Sequence, residues 1–563
     1  MKYLFFLLTL VASGADAQTT TGRVKWKSAS NANYIYTGEI KDGKPNGRGL
    51  AVSDPEGDKI VFAEFKDGMI DGRAVISQNT GAISVINYKE NKPEGIGLII
   101  SPNGDLVYGN LAKDFFGEKA TMVYADNTIA FGSVKNGKLN GRVISINSEG
   151  NIMEDRFYIN DKANGPGYRY ELESKELFEG VWENDKWVKD TTGNYPSFMR
   201  NPNFGSLVNS DAVIIYSDLI EKDNKKIFQD TCFLYGLKRN IRWFGYYDQS
   251  KLRSGVNLIG DSIRIIGQFD DNDKQGLCVE YKKGHYLKLG NYENDKLNGA
   301  CIVIDIDDST IYDGYLSAGD YTGNAALLMK NNKIRIGHFI KGNLDGKGQT
   351  IYPDGRSMSA FYNEGSLTSI NEVLMPNGHP LDHHPKDICT AINFLVKEFN
   401  DDFETISGEM EDVPVNGSFK VNYDNFFKCR YPFPGAAFNR ILPERPTLSD
   451  LMLGENTHTE FTCGLLMTKD YTAVKKQYDN LCQQLSGCIL TSLQEGTMLK
   501  LVAKVKPIVP NPEGGRLHSF FIVPDYNGNK NNAAVRIMVE KIDDNYQLTL
   551  DVTYQLTFNA LSK

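Results

Sequence analysis

The residues best suited to chemistry crowd into the last third of this 563-residue chain. His379, His383, His384 and Asp387 stand close together, and imidazole is the commonest side-chain metal ligand. Adjacent His383 and His384 match neither the i, i+4 spacing of a helix nor the alternation of a strand. The stretch 375–385 also holds three prolines, so a solvated linker is the better reading. Residues 525–531 (DYNGNKN) have the outline of a calcium loop, but Lys530 occupies the glycine position and Arg536 the terminal glutamate position. Asn527-Gly528 between two apolar runs reads instead as a hairpin turn. No G-x-S-x-G phrase occurs, and no cysteine lies in a recognised protease context. Cys482 and Cys488 bracket the end of an amphipathic segment, which reads as a short disulfide or as two buried thiols. His458 and His518 stand singly beside apolar runs and read as core or surface histidines. No catalytic, cofactor-binding or metal-ligating residue is assigned, and no cofactor is implied.

Composition narrows the class. The chain holds 62 basic and 71 acidic residues, a formal net charge of −9, which argues against nucleic acid as a partner. It opens with Lys2, an apolar run over 3–12 and Ala15-Asp16-Ala17, the order of a secretory signal peptide with an A-x-A cleavage site. The run is too short to span a bilayer, so no transmembrane segment is expected. The mature chain is expected to start at Gln18 and to be exported, to the periplasm or beyond. In an oxidising compartment the eight cysteines can form disulfides. Their irregular spacing, with no C-x-x-C pair, disfavours zinc.

The elements that would hold any site are dominated by a recurring phrase. Residues 38–49 (GEIKDGKPNGRG) return at 132–143 (GSVKNGKLNGRV), 290–299 (GNYENDKLNG) and 337–348 (GHFIKGNLDGKG). Anchored on the first glycine, units begin at Gly38, Ala63, Ile86, Gly109, Gly132, Arg156 and Gly180. A second set begins at Gly245, Gly267, Gly290, Gly314, Gly337 and Ser359, with steps of 22 to 25 residues. Between Gly180 and Gly245 the phrase fades, and residues 194–205 suggest an interruption or a corner. Within a unit, Tyr34, Tyr36, Gly38 and Ile40 alternate as in a strand, and Asp42-Gly43 or Asn136-Gly137 supplies a tight hairpin turn. Aromatics such as Tyr36, Phe65, Phe131 and Tyr292 are placed to lie across the strand glycines.

The pattern aromatic-x-Gly-x-x-x-x-Gly-x-x-x-Gly-x-Gly at about 23 residues resembles the MORN repeat, over roughly residues 34–365. All four glycines stand at 38–49 and 337–348, whereas Ala63 and Ile86 replace the first glycine of their units. The resemblance implies a mainly β fold: an elongated antiparallel sheet of stacked hairpins. Some fourteen units would make a single ribbon on the order of 130 Å long at about 4.8 Å per strand. It also implies a scaffold, since such repeats generally mediate assembly or flank a separate functional domain.

Beyond residue 366 the period stops. Apolar Ile388, Ile392, Leu395, Val396 and Phe399 predict a helix, and a second is predicted over 468–485. Strands are predicted over 418–423, 459–467, 499–505, 517–523, 534–541 and 547–558, giving a C-terminal α+β domain. The expected organisation is signal peptide 1–17, repeat array 18–195 and 196–366, linker 367–385 and domain 386–563. The leading functional expectation is an exported, non-enzymatic scaffold that binds a protein partner or itself. The alternatives are an enzyme or ligand-binding activity in the C-terminal domain, with the repeats as a positioning arm, and contact with envelope glycans.

Overall fold

The computed structural model describes residues 20–112, 115–135, 138–188, 205–208, 210–222, 225–236, 241–382, 384–399, 401–412, 425–442, 459–491, 498–500, 502–504, 517–522 and 533–554. The chain forms two compact units. The first comprises residues up to 357 with 363–365 and 376–378, and the second comprises the remainder. Among the described residues, thirty strands precede the helix that starts at Ile388. They form two 15-stranded antiparallel sheets in strict sequence order. One runs from β1 (Thr20–Lys27) to β15 (Lys186–Val188), the other from β16 (Gly205–Val208) to β30 (Ser366–Leu374).

The hairpin of β2 (Asn33–Lys41) and β3 (Lys44–Ser53) shows how the repeat builds a sheet. Asp42 and Gly43 both adopt positive φ, 51° and 72°, as the twist-matched two-residue turn requires. Gly22, Gly38, Gly49, Ala63 and Ala74 are successive cross-strand partners, so small residues line up across the sheet. The second sheet repeats the row as Cys232, Gly245, Gly255, Gly267, Cys278, Gly290, Cys301 and Gly314. Tyr36 lies over this row: a Cβ on Gly38 would come within 2.5 Å of the Tyr36 hydroxyl. That hydroxyl donates to the carbonyls of Glu39 (2.9 Å) and Arg48 (3.3 Å). Tyr312 does the same over Gly314, donating to Tyr315 (3.0 Å) and Thr322 (3.3 Å).

The third glycine of the phrase has a role that the alternation did not reveal. Between the pairs Gly38–Gly49 and Ile40–Pro45, Glu39 alone faces Asn46, Gly47 and Arg48. This is a bulge, with Gly47 at φ 96° and the Glu39 carboxylate accepting the Arg48 amide at 2.9 Å. The same offset recurs after Ala63, Gly132, Gly267, Gly290 and Gly337. Bulges bend strands, and beyond them the chain folds back over its own small-residue row. A Cβ on Gly337, for example, would meet a Leu344 methyl at 2.9 Å.

The expected single ribbon is corrected. The two sheets lie face to face and share one core. Leu50, Phe62, Val75, Leu98 and Ile146 come from the first, and Phe244, Val256, Ile266, Val279 and Ile302 from the second. As one position climbs the first sheet, its partner descends the second. Thr21 meets Ser357, Arg48 meets Asp313, Arg264 meets Gly104, Arg242 meets Ser148 and Tyr170 meets Ser206. The reason is the face opposite the glycine row. Leu50, Phe62 and Val75 alternate with the small residues, and a lone ribbon would leave this apolar surface in water at about 25 cal/mol per Å². The weak stretch between the two sets of units also resolves. It carries β17 (Ala212–Lys222) and β18 (Lys225–Gly236), which pair in antiparallel register with Tyr216 opposite Cys232. Most of the predicted corner at 194–205 lies outside the described residues.

The second unit contains an eight-stranded antiparallel sheet. Its order is β31 (Ser407–Asp412), β32 (Asn425–Cys429), β33 (Phe438–Leu442), β34 (Glu460–Thr468), β40 (Asn545–Tyr554), β39 (Ala533–Ile542), β38 (Leu517–Ile522) and β37 (Val502–Lys504). Strands β35 (Ile489–Thr491) and β36 (Met498–Lys500) form a separate pair. Helices α1 (Ile388–Phe399) and α2 (Tyr471–Gly487) contact the central strands. Helix α2 starts where the Asp470 carboxylate accepts the amides of Thr472 (2.9 Å) and Ala473 (3.3 Å). Its buried residues are Val474, Tyr478, Leu481 and Leu485, one apolar face of the helix predicted over 468–485, while Ala473 is exposed. Strands β31, β32 and β33 were not anticipated. A disulfide joins Cys389 to Cys488, 99 residues apart. The short Cys482–Cys488 link considered from sequence is therefore corrected: Cys482 is a free thiol.

Candidate functional site

Among the described residues, those first considered for chemistry form no metal-holding group. His379 is exposed, with its carbonyl accepting the Met375 amide at 2.8 Å. His384 is also exposed, and its amide donates to Asp382 at 2.9 Å. Asp387 serves the start of α1, accepting the Thr390 amide at 2.8 Å and its hydroxyl at 3.1 Å. These bonds, the amide first, hold its carboxyl below its ordinary range. Among the described residues, no group of three or more His, Cys, Asp or Glu could hold a metal ion. His518 sits half-buried on β38, its ring 6.4 Å from that of Phe520. His383, His458 and the 525–531 turn lie outside the described residues.

The second unit carries an ionic row that sequence reading missed. Phe461, Cys463, Val535, Ile537, Leu550 and Val552 are fully buried, and the alternating positions between them are polar. The Thr462 hydroxyl donates to Asp551 at 2.6 Å, and Arg536 Nε donates to the same carboxylate at 2.7 Å. The Thr553 hydroxyl donates to Glu460, whose other oxygen lies 4.0 Å from Arg536. Burial pushes the Glu460 carboxyl up, against the pull of Arg536. Both carboxylates are thus engaged by neighbours. The period-2 placement of Thr462, Arg536 and Asp551 was visible in sequence, but their cross-strand register was not.

The first unit holds the clearest concave site. A cleft of about 590 Å³ is lined by strands of both sheets. Its floor is apolar and aromatic: Tyr108, Phe131 and Ile144 from the first sheet, and Ile266 from the second. Gly109, Gly132, Gly245, Gly255 and Gly267 line it with backbone alone. Ile96 and Tyr246 at the mouth are 40% and 47% exposed. Hydrogen-bonding groups come from Thr121, Ser133, Thr231, Ser254 and Gln268. Arg142 is the one charged lining residue. Asp155 balances it through Nε at 2.9 Å and Nη2 at 2.6 Å, a fork on one carboxylate.

Elsewhere the gap between the sheets is closed by ions. Asp313, only 5% exposed, takes Arg48 on one oxygen and Arg73 at 3.4 Å on the other. Arg264, 1% exposed, reaches from β21 (Ile263–Asp270) to the first sheet. It donates to the carbonyls of Gly104 (2.6 Å) and Ala125 (3.3 Å) and to Asn127 Oδ1 (3.2 Å).

A double sheet of bulged hairpins, each stacked only on its sequence neighbours within a sheet, defines a β-hairpin repeat protein. The MORN repeat family model matches residues 36–52, 87–106 and 336–355. The chain therefore carries MORN repeats over these three segments. No curated protein matches it. The matched segments hold the glycine-row and bulge positions around Gly38, Gly95 and Gly337. The two-sheet packing uses the alternate face.

Proposed function

We propose that the protein is an exported, non-enzymatic scaffold that presents its hairpin array to a protein partner or to a second copy of itself. The observation that carries this reading is a set of large apolar side chains left in water at or near the bulges. Ile96, Ile159, Tyr246, Tyr315 and Ile340 are 40%, 51%, 47%, 51% and 43% exposed. Apolar side chains in such positions mark association surfaces. The N-terminal signal-like segment and the Cys389–Cys488 disulfide support export. Among the described residues, no helix is long and apolar enough to cross a membrane.

The experiment is size measurement of the mature chain in solution together with cross-linked capture from an envelope extract. Wild type is compared with the triple variant Ile96→Ser, Tyr246→Ser and Tyr315→Ser. The reading requires a partner or a self-dimer that the variant loses. A wild-type monomer that retains nothing refutes it. Retention on envelope polysaccharide through Tyr246 and Tyr315 would instead support the glycan reading. Catalysis by the second unit has less support, because Asp551 and Glu460 already have partners within its own sheet.

A further inference from the structure

We propose that the free edge of β1 (Thr20–Lys27) receives an extended acidic segment of a partner polypeptide, added as a further strand of the first sheet. The proposal rests on the scaffold reading and names one surface of that scaffold with the chemistry of what it holds.

The edge is open in its backbone. Among the described residues, β1 ends its sheet and pairs with β2 alone. Lys27 stands opposite Asn33, and the Asn33 carbonyl accepts the amide of Asp54, just past β3, at 3.0 Å. Asn33 therefore directs its backbone toward β3, and its antiparallel partner Lys27 directs its own away from β2. By the same alternation Arg23 and Lys25 turn their amides and carbonyls to the free edge.

The same three residues carry charge. Arg23, Lys25 and Lys27 share one face of the strand at alternate positions, about 6.8 Å apart. All three are exposed, and none makes an ion pair among the described residues. The acidic turn at 54–58 follows β3, two strands away, and is not paired with them. The other face holds the strand in place. Trp26 donates from Nε1 to the Gly68 carbonyl at 2.7 Å, and its ring lies 5.2 Å from those of Tyr34 and Phe65. A strand fixed in this way is an ordered template for another.

Charge then decides the occupant. A second copy laid antiparallel on this edge about a two-fold axis would set Lys25 against Lys25 and Arg23 against Lys27, like charges directly opposite. A strand with Asp or Glu at alternate positions would instead set a carboxylate against each cation while its backbone extends the ladder. The outward amides and carbonyls select a polypeptide, because a polyanion without amides would meet the charges and leave the ladder unused.

The test uses the full chain and three acetylated peptide amides. One is the acidic strand Ac-Thr-Glu-Val-Glu-Val-Glu-Thr-NH2, and one is its counterpart with Lys in place of Glu. The third is the acidic peptide N-methylated at its three Glu residues, which keeps the charge and removes the donors that would face β1. Binding is read by titration calorimetry. The acidic peptide should bind saturably and the Lys peptide should not. N-methylation should weaken binding tenfold or more, as should the combined variant Arg23→Gln, Lys25→Gln and Lys27→Gln. Lys135→Gln with Lys138→Gln, which removes two exposed lysines from another hairpin, should retain it. Circular dichroism checks that both variants keep the fold.

No binding of the acidic peptide, or undiminished binding in the β1 variant, overturns the proposal. Equal binding of the N-methylated peptide shows attraction without strand addition and overturns it as well. A partner captured from the envelope extract by wild type and the β1 variant alike leaves the scaffold standing and removes β1 from its interface.

Discussion

Arg264→Met tests the folded-back array most directly. On a single extended ribbon Arg264 would belong to a solvent face, and its loss would fall within the ±0.5 kcal/mol typical of surface changes. In the sandwich the side chain is 1% exposed and its guanidinium ties two neighbouring turns of the opposite sheet, at Gly104 and Ala125–Asn127. Methionine retains much of the apolar stem but supplies no donor. Three acceptors then lose a charged partner, at about 1–3 kcal/mol for each acceptor left buried. Release of the desolvated charge offsets part of this, since burial already lowers the Arg264 pKa. A net loss of about 3 kcal/mol is expected. It should appear as a roughly hundredfold faster exchange of the amides in turns 101–105 and 124–128, measured by hydrogen–deuterium exchange on the full chain. Arg264→Lys, with one donor centre instead of a fork, should fall between the two. Unchanged protection of both turns in Arg264→Met would refute the packing of one sheet on the other.

Other expectations concern the repeat and its thiols. Tyr36→Phe removes the hydroxyl that serves the Glu39 and Arg48 carbonyls and should cost about 1 kcal/mol, read as a lower urea midpoint of the first unit. Burial pushes the Cys278 thiol up to about 11 and Cys301 up to about 12, from an ordinary 9.0. The folded state therefore holds these protons more tightly than the unfolded chain. Their stabilisation is complete below pH 9 and is lost as pH rises through 11 to 12. Cys278→Ala with Cys301→Ala should flatten the fall of the urea midpoint over that window. In native protein at pH 8, alkylation should spare Cys232, Cys278 and Cys301, all buried, and reach them only on unfolding. Cys389→Ser opens a 99-residue loop and should cost about 4–5 kcal/mol in the chain-entropy account, seen as a lower melting temperature of the second unit.

Local features were legible from sequence and long-range ones were not. Turn chemistry at Asp42-Gly43, the alternation through Tyr34 to Ile40 and the period of the phrase are all short-range signals, and they predict the hairpins. The bulge was hidden because Gly47 and Gly49 look alike in a string; only the register shows that Gly47 at φ 96° bends the strand while Gly49 belongs to the flat row. Packing of sheet on sheet was hidden for a different reason. Arg264 and Gly104 are 160 residues apart, and each repeat looks the same whether its apolar face meets a partner sheet or not. The Cys389–Cys488 pair was likewise a matter of tertiary proximity, and spacing pointed instead to Cys482. The candidate cleft is lined by strands of both sheets, so it lay out of reach of any local pattern.

The antiparallel matching of the two sheets has a consequence for how such a chain can lengthen. An ordinary repeat array grows by copying one unit anywhere, because each unit meets only its neighbours. Here an extra hairpin near residue 60 would slide Arg48 away from Asp313 while leaving Arg264 opposite Gly104. Only a matching insertion in the second sheet, near residue 300, would restore both contacts. Viable length changes in this architecture are therefore coupled events, two hairpins at mirror positions about the fold-back. Libraries that add or delete single units should yield soluble protein far less often than those that change units in such pairs.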